Sequence, residues 1–247
     1  METLRILTWN VLFEIRDAAP LRAEERHPEI FARACAPGVH VAAFQELTPW
    51  SLRALGSFSP CVLPNEPGAV EPYGVGLASP VAPSEHRSWR LRTGKAILLA
   101  RYVFDGDPVW VMNLHLSSDL HAGAAGRREE EVAEAMTALP ARDAAVVLGD
   151  LNCSADARPL ALGAHGLREV WSALYPGDPG YTWDPVGNTI AHGIYPNGQP
   201  RRLDAIFWRA GPRRLAPIRA ERIQGVTASG LPFSDHDGVV ADFVWER

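Results

Sequence analysis

The sequence is poor in the features that usually announce a compartment or a cofactor. It has three cysteines, Cys35, Cys61 and Cys153, widely separated and odd in number. No pair has the spacing of a metal knuckle or a redox motif, so a reducing interior suits the chain better than secretion. Long hydrophobic runs are missing. The longest, such as Ala96 to Ala100, falls far short of the roughly 20 residues that cross a bilayer. The opening residues Met1 to Asn10 go straight into a strand pattern, without the basic segment and long apolar stretch of a signal peptide. A soluble, cytoplasmic protein without a transmembrane segment is therefore expected. An excess of positive charge is missing as well. The formal charge of -5 argues against a broad basic face that grips nucleic acid, though a local basic groove remains open. Arg is much commoner than Lys, and Arg forks suit phosphate, but most surface arginines are simply solvated.

What is present is an ordinary globular composition. Hydrophobic residues make up 47% and charged residues 21%, enough for a sizeable core without disulfides or structural metals. The length of 247 residues suits one large α/β domain spanning 1–247, with no protein partner called for and a monomer expected. Leu4 to Trp9 reads as a strand ending at Asn10, and Glu24 to Ala36 as a helix stopped by Pro37-Gly38. Val39 to Phe44 is a buried-strand run ending at Gln45-Glu46. Tyr73 to Ser79, Lys95 to Phe104 and Val109 to Leu116 are further strands. Gly126 to Leu139 carries Val132, Met136 and Leu139 at helical spacing. Ala144 to Leu148 is a strand that runs into Gly149-Asp150-Leu151-Asn152, and strands resume at Leu203 to Trp208 and Val239 to Trp245. Residues 175–202 form a long Pro-, Gly- and Asn-rich loop, which inside a compact domain is usually functional or disordered. Strand-rich halves with intervening helices predict two packed sheets flanked by helices.

Polar residues gather at the strand ends: Asn10, Glu46, His115, Asp150, Asn152, Asp204 and Asp235-His236. Strand ends are where α/β proteins assemble their sites. Phosphate-ester hydrolysis needs a metal, a group that orients or deprotonates water, donors for the phosphoryl oxygens and stabilisation of the leaving oxygen. Glu46 and Asn10 are hard oxygen ligands suited to Mg²⁺. Asp150 and Asn152, two residues apart on a turn, can face one pocket. His236 and His115 are phosphate-facing donors, and Asp204 can fix the tautomer of His236. Each residue also has a bland reading, as a turn residue, a cap or a surface charge. It is the joint pattern that points to chemistry. His27, His40, His86, His121, His165 and His192 match no motif and read as surface or loop residues. Among the tryptophans, Trp9, Trp110, Trp208 and Trp245 lie on strands and read as core, while Trp183 sits in the long loop, where it could stack on a base.

Thr8-Trp9-Asn10, Gln45-Glu46, Asn113-Leu114-His115-Leu116, Gly149-Asp150-Leu151-Asn152, Arg202-Leu203-Asp204-Ala205-Ile206 and Ser234-Asp235-His236 follow one another along the chain. In this order they resemble the six signature blocks of the endonuclease/exonuclease/phosphatase family, the DNase I-like enzymes. The resemblance implies a four-layered α/β sandwich of two mixed sheets flanked by helices, with the site at one edge. It implies a Mg²⁺-dependent phosphodiesterase or nuclease, with Mn²⁺ able to substitute. Glu46 would bind the metal with Asn10 and Asp235 nearby, Asp150 would position or deprotonate water, and Asn152 would hold phosphate. His236, oriented by Asp204, would contact the scissile group, and His115 would bind phosphate or serve the leaving group. Arg128, with Arg127 nearly as good a match, would support the site. Tyr181-Thr182-Trp183-Asp184 is similar to a loop in enzymes that remove tyrosyl adducts from DNA and in neutral sphingomyelinase-like enzymes. Leu12 stands where abasic-site endonucleases carry an Asp, and Asp237-Gly238 where an aromatic often follows the final His. A nucleic acid or nucleic-acid adduct is thus the expected substrate, with a lipid or small phosphate ester as the alternative. A non-catalytic binding protein is the least favoured reading.

Overall fold

Successive residues of the central strands belong to two different hydrophobic neighbourhoods, and this decides the architecture. The computed structural model describes residues 3–14, 21–65, 70 and 72–246. In chain order the elements are β1 (Leu4–Asn10), α1 (Ala23–Ala34), β2 (Val41–Leu47), α2 (Pro49–Leu55), β3 (Cys61–Pro64), β4 (Gly74–Ser79), β5 (Glu85–Arg90), β6 (Ala96–Phe104), β7 (Asp107–His115), α3 (Ala124–Met136) and β8 (Ala145–Asp150). They continue with α4 (Leu160–Ala164), β9 (Arg168–Glu169), α5 (Val170–Leu174), α6 (Thr189–Ile194), β10 (Asp204–Arg209), β11 (Leu215–Ile223) and β12 (Gly238–Trp245). On β1, Ile6 packs with Val41, Leu98 and Val146 between two sheets, while Leu7 and Trp9 pack with Ile30 and Phe31 of α1. On β8, Val146 and Leu148 face the same interior, while Val147 packs with Val132 and Met136 of α3. Strands covered on both faces read as continuous apolar runs, which is what the sequence shows there. The result is helix, sheet, sheet, helix: four layers, as expected.

One sheet has the order β11-β12-β1-β2-β4-β3 and the other β5-β6-β7-β8-β10-β9. Both are mixed, since β1–β2 and β7–β8 are parallel and the remaining pairs antiparallel. Parallel neighbours end on one side, and antiparallel neighbours begin there. In the second sheet the register therefore sets His115 opposite Asp150 and Asp150 opposite Asp204. In the first, Asn10 lies opposite Gln45, and β12 starts two residues after His236. Beneath this end a buried polar bridge ties the sheets together. Gln45 Nε2 donates to Thr8 Oγ1 and to Asn113 Oδ1 (2.7 Å), and Asn113 Nδ2 donates to the carbonyls of Phe44 and Gly76. Gln45 and Asn113 thus satisfy one another inside the core, as buried amides must.

Some elements carry little signal in the sequence. β5 and β11 are sheet edges: the residues of β5 are largely exposed and polar, and in β11 Pro217 and the charged Arg219, Glu221 and Arg222 break any apolar period. The long loop holds α6, capped by Asn188, whose Oδ1 accepts from the backbone N–H of Ile190 and Ala191. His27 departs from its surface reading. It is fully buried on α1, with Nε2 at 3.1 Å from the carbonyls of Val11 and Leu12. Among the described residues no helix is long and apolar enough to cross a membrane.

Candidate active site

The strand ends deliver their polar side chains into one buried cluster centred on Asp150. Its approach depends on Gly149, which has φ +141°. A Cβ there would meet the Leu114 carbonyl oxygen at 1.9 Å, so only glycine lets β8 run this close to β7. Asp150 Oδ1 accepts from the Asn152 backbone N–H at 2.8 Å, and Oδ2 accepts from Asn10 Nδ2 at 3.0 Å. The same Asn10 nitrogen donates to Glu46 Oε1 at 3.0 Å, while Asn10 Oδ1 accepts from the Leu12 N–H at 3.0 Å. Two acceptors on one side and a donor on the other fix the amide in this sense. Asn10, expected to offer an oxygen to a metal, instead spaces two carboxylates with its nitrogen.

Two imidazoles flank Asp150 Oδ2, with His115 Nε2 at 3.7 Å and His236 Nε2 at 4.0 Å. They differ in what stands behind them. His236 Nδ1 donates to Asp204 Oδ2 at 2.8 Å, which leaves Nε2 facing the cluster, and Thr182 Oγ1 donates to the same Asp204 oxygen at 2.7 Å. Burial opposes charge on His236, but Asp204, Asp235 and Asp150 outweigh it and hold the ring well above the ordinary histidine value. Among the described residues no carboxylate hydrogen-bonds His115; burial, with Lys95 next, pushes it down to about 3. The pair is thus one charged donor and one neutral ring.

Glu46 sits at φ 63° where the β2–β4 register shifts, a left-handed conformation that a β-bulge imposes on a non-glycine residue. Its Oε2 accepts from the Phe13 N–H, and burial, then the charge of Asp235, push its carboxyl up to about 7. Asp235 Oδ2 lies 3.9 Å from His236 Nε2, and its other oxygen accepts from Ser234 Oγ. Ser234 is a stitch, not a nucleophile: its hydroxyl also donates to the Asn10 carbonyl at 2.7 Å. Asn152, at φ 52°, spends Nδ2 on the Leu116 carbonyl and on Asp150. Ligand atoms of Glu46, His115 and Asp150 lie within 4.8 Å of one another, as do those of Asp150, Asp204 and His236, a spacing that can hold a metal ion.

A model of the endonuclease/exonuclease/phosphatase family matches residues 7–236. The chain belongs to that family. It is accordingly a phosphoester hydrolase. Among solved structures, TDP2 of D. rerio in complex with a single-strand DNA product is similar with a TM-score of 0.80 at 21% identity, covering 99% of this chain and 100% of that one. SmcL is similar with a TM-score of 0.76 at 19% identity, over 98% and 99% of the two chains. Beta toxin from Staphylococcus aureus gives 0.69 at 21% identity, over 96% and 99%. Likeness at such identities speaks for the fold, which is DNase I-like. No curated protein sequence matches the chain significantly.

Two expected residues sit differently in this family member. Trp183 is buried. It pairs with Arg201 and His236 through backbone bridges, and its ring is covered by the Arg201 guanidinium (5.2 Å), Tyr195 and Gly198. Its face is therefore closed to a stacking base, because the long loop folds over it. Arg128 is buried as well, and its Nη1 donates to the Ser117 carbonyl and to Asp119 Oδ1, bracing the loop after β7. Arg127 is the neighbour whose charge reaches Lys95. Three site residues have no role in the sequence reading, although Thr182 lies within the Tyr181-Thr182-Trp183-Asp184 motif. Thr182 holds Asp204. Tyr73, stacked on Phe13 at 4.4 Å, has its ring 5.9 Å from His115. Lys95, the only lysine of the chain, is lowered by burial against the pull of Asp150, Glu131 and Glu46. That singularity was the available signal: an ammonium kept in one place by a chain that otherwise uses arginine.

Proposed function

We propose that residues 1–247 form one Mg²⁺-dependent phosphodiesterase domain that acts on nucleic acid or a nucleic-acid adduct. The observation that carries this reading is the position of Asp150 between a carboxylate side, Glu46 and Asp235, and the His236–Asp204 pair. Buried carboxylates this close are costly to keep charged: burial, then the charge of Asp235, raises the Glu46 carboxyl. A hard divalent cation fits such a donor set, with Glu46 as its principal oxygen ligand and the Asp150 and Asp235 carboxylates beside it. Bound there, Mg²⁺ would neutralise charge on the phosphoryl oxygens.

The chain's own groups supply the rest. Burial opposes charge on Asp150, yet His236, His115 and the Asn10 and Asn152 donors hold its carboxyl below the ordinary range. A weak base of this kind orients water more than it removes its proton. His236, kept protonated, directs its Nε2–H toward the phosphoryl oxygen on which charge develops. Neutral His115, on the other flank, meets the leaving or non-bridging oxygen. The DNA product held by the D. rerio TDP2 neighbour supports nucleic acid as substrate. One observation favours the alternative, a lipid or small phosphate ester. The cavity beside Phe13, about 820 Å³, is lined by Phe13, Trp50 and Pro72 with Glu14 and Glu24, and shows no basic side chain among its described lining. Such a wall does not attract a polyphosphate backbone.

The decisive experiment is hydrolysis of bis-p-nitrophenyl phosphate and of a single-stranded oligonucleotide with Mg²⁺ or Mn²⁺. Both activities should vanish in EDTA and return with excess metal. Undiminished turnover after exhaustive chelation would sink the metal assignment, and cleavage of sphingomyelin but not of the oligonucleotide would select the alternative substrate class.

A further inference from the structure

Arg26 is the largest charged side chain with no solvent exposure, and the chemistry above does not use it. Among the described residues it makes no ion pair. All its hydrogen bonds run to backbone carbonyls. Nε donates to Leu21 at 2.5 Å, Nη1 to Val11 at 2.9 Å and to Phe233 at 2.7 Å, and Nη2 to Leu12 at 3.0 Å. Val11 directly follows Asn10, and Phe233 directly precedes Ser234-Asp235, so one guanidinium grips both segments that carry the metal-side groups. His27, one residue along α1, adds Nε2 at 3.1 Å from the Val11 and Leu12 carbonyls, which makes that nitrogen the protonated one.

The consequence runs through Leu12. A buried leucine at φ 55° is strained, and surrounding structure must hold it there. Arg26 and His27 bind its carbonyl on one side, and its own N–H is thereby aimed at Asn10 Oδ1. With the oxygen taken, the Asn10 amide can turn only its nitrogen toward Glu46 and Asp150. We propose that Arg26, assisted by His27, is a positioning residue that locks Leu12 left-handed and so sets the Asn10 amide that spaces the two site carboxylates. Its positive charge also lies within electrostatic reach of Asp235, Glu14 and Glu46, so an uncharged replacement would lose that compensation as well. For metal binding the inference rests on the proposed function; for the geometry of Asn10 it does not.

The test uses ¹⁵N-labelled full-length protein and compares wild type with Arg26→Lys. Lysine keeps the charge but lacks the planar fork that reaches four carbonyls. The readout is hydrogen exchange of the Asn10 side-chain amide, with the equally buried amide of Asn113 as internal reference. Arg26→Lys should speed exchange at Asn10 and leave Asn113 unchanged. Mn²⁺ titration followed by electron paramagnetic resonance should show binding about tenfold weaker, as for groups that orient metal ligands. In an Asn10→Ala background that weakening should disappear. A folded Arg26→Lys protein with wild-type Asn10 exchange and wild-type Mn²⁺ binding overturns the proposal, and so does equal acceleration at Asn10 and Asn113, the mark of general loosening. If Arg26→Lys does not fold, His27→Gln, which disturbs the same carbonyls, should shift Asn10 exchange in the same direction; no shift overturns the proposal. A wild type with a protected Asn10 amide that nevertheless binds no Mn²⁺ would remove the metal reading and leave the positioning inference standing.

Discussion

The two sheets bring their halves of the site together by different means. The β7–β8–β10 half arrives on regular ladders: His115, Asp150 and Asp204 are register partners in one row, and one glycine permits the close approach. The β1–β2–β12 half arrives on irregular backbone. Glu46 lies on a bulge at φ 63°, Leu12 is left-handed, and the Ser234-Asp235-His236 turn is tied to β1 by a serine hydroxyl and an arginine fork. The division follows the chemistry. In the proposed mechanism the regular half holds the groups that would face water and phosphate, and the strained half holds those that would face a metal, His236 excepted. A ladder fixes position without side-chain help. A ligand cage of like charges needs tethers, because its members repel one another.

If that division is right, substitutions in the two halves should fail differently. Asp150 belongs to both, so the largest loss is expected there. Asp150→Asn should lower kcat about 1,000-fold with the thermal midpoint close to wild type, as removal of a group that acts on the reacting atoms does. A variant that kept near-native turnover on bis-p-nitrophenyl phosphate would refute the central position of this carboxylate. Next comes the regular half. Asp204→Asn removes the negative charge that orients His236 and keeps it protonated, and a loss of about 100-fold in kcat with unchanged Mg²⁺ dependence is expected. In the strained half, Glu46→Gln should raise the Mg²⁺ concentration for half-maximal activity by about 10- to 100-fold, and excess Mg²⁺ should restore much of the rate. Were Asp204→Asn the variant rescued by metal, and Glu46→Gln the one that was not, the assignment of halves would be reversed.

The same division explains what was legible in the sequence. The regular half could be read directly, since an apolar run that ends in a polar residue announces a strand end, and register then aligns the ends. Glu46 and Asp235 were legible as types. Their setting was not, because it depends on φ angles and on contacts with α1 and the 225–236 segment. Asn10 shows the limit best. Its identity suggests an oxygen ligand, yet the direction of its amide is set by Leu12, two residues on, and by Arg26 beyond it. Trp183 misled for a related reason. A loop rich in Pro and Gly suggests exposure, but α6 and the Trp183–Arg201 bridge fold it into a cover that buries its own aromatic.

His27 gives the finest test of the strained half, with the smallest expected effect on turnover. It is buried, and burial, with the Arg26 charge next, pushes its imidazole down to about 4. In the unfolded chain the ring titrates at its ordinary value, about 6.5. Between those two values the unfolded state binds a proton that the folded state does not, so stability rises with pH through this window and falls as pH drops from about 6.5 toward about 4. By pH 5 the loss from this group should be on the order of 2 kcal/mol. Carboxylates contribute their own slope, so the measurement is a difference. Urea midpoints of wild type and His27→Gln are followed from pH 7.5 to 5. The variant should be less stable at pH 7.5, and the gap should narrow as the pH falls, because glutamine does not titrate. Parallel curves would mean that His27 is no better shielded than a surface histidine, and that the strap over Leu12 opens easily in the native state.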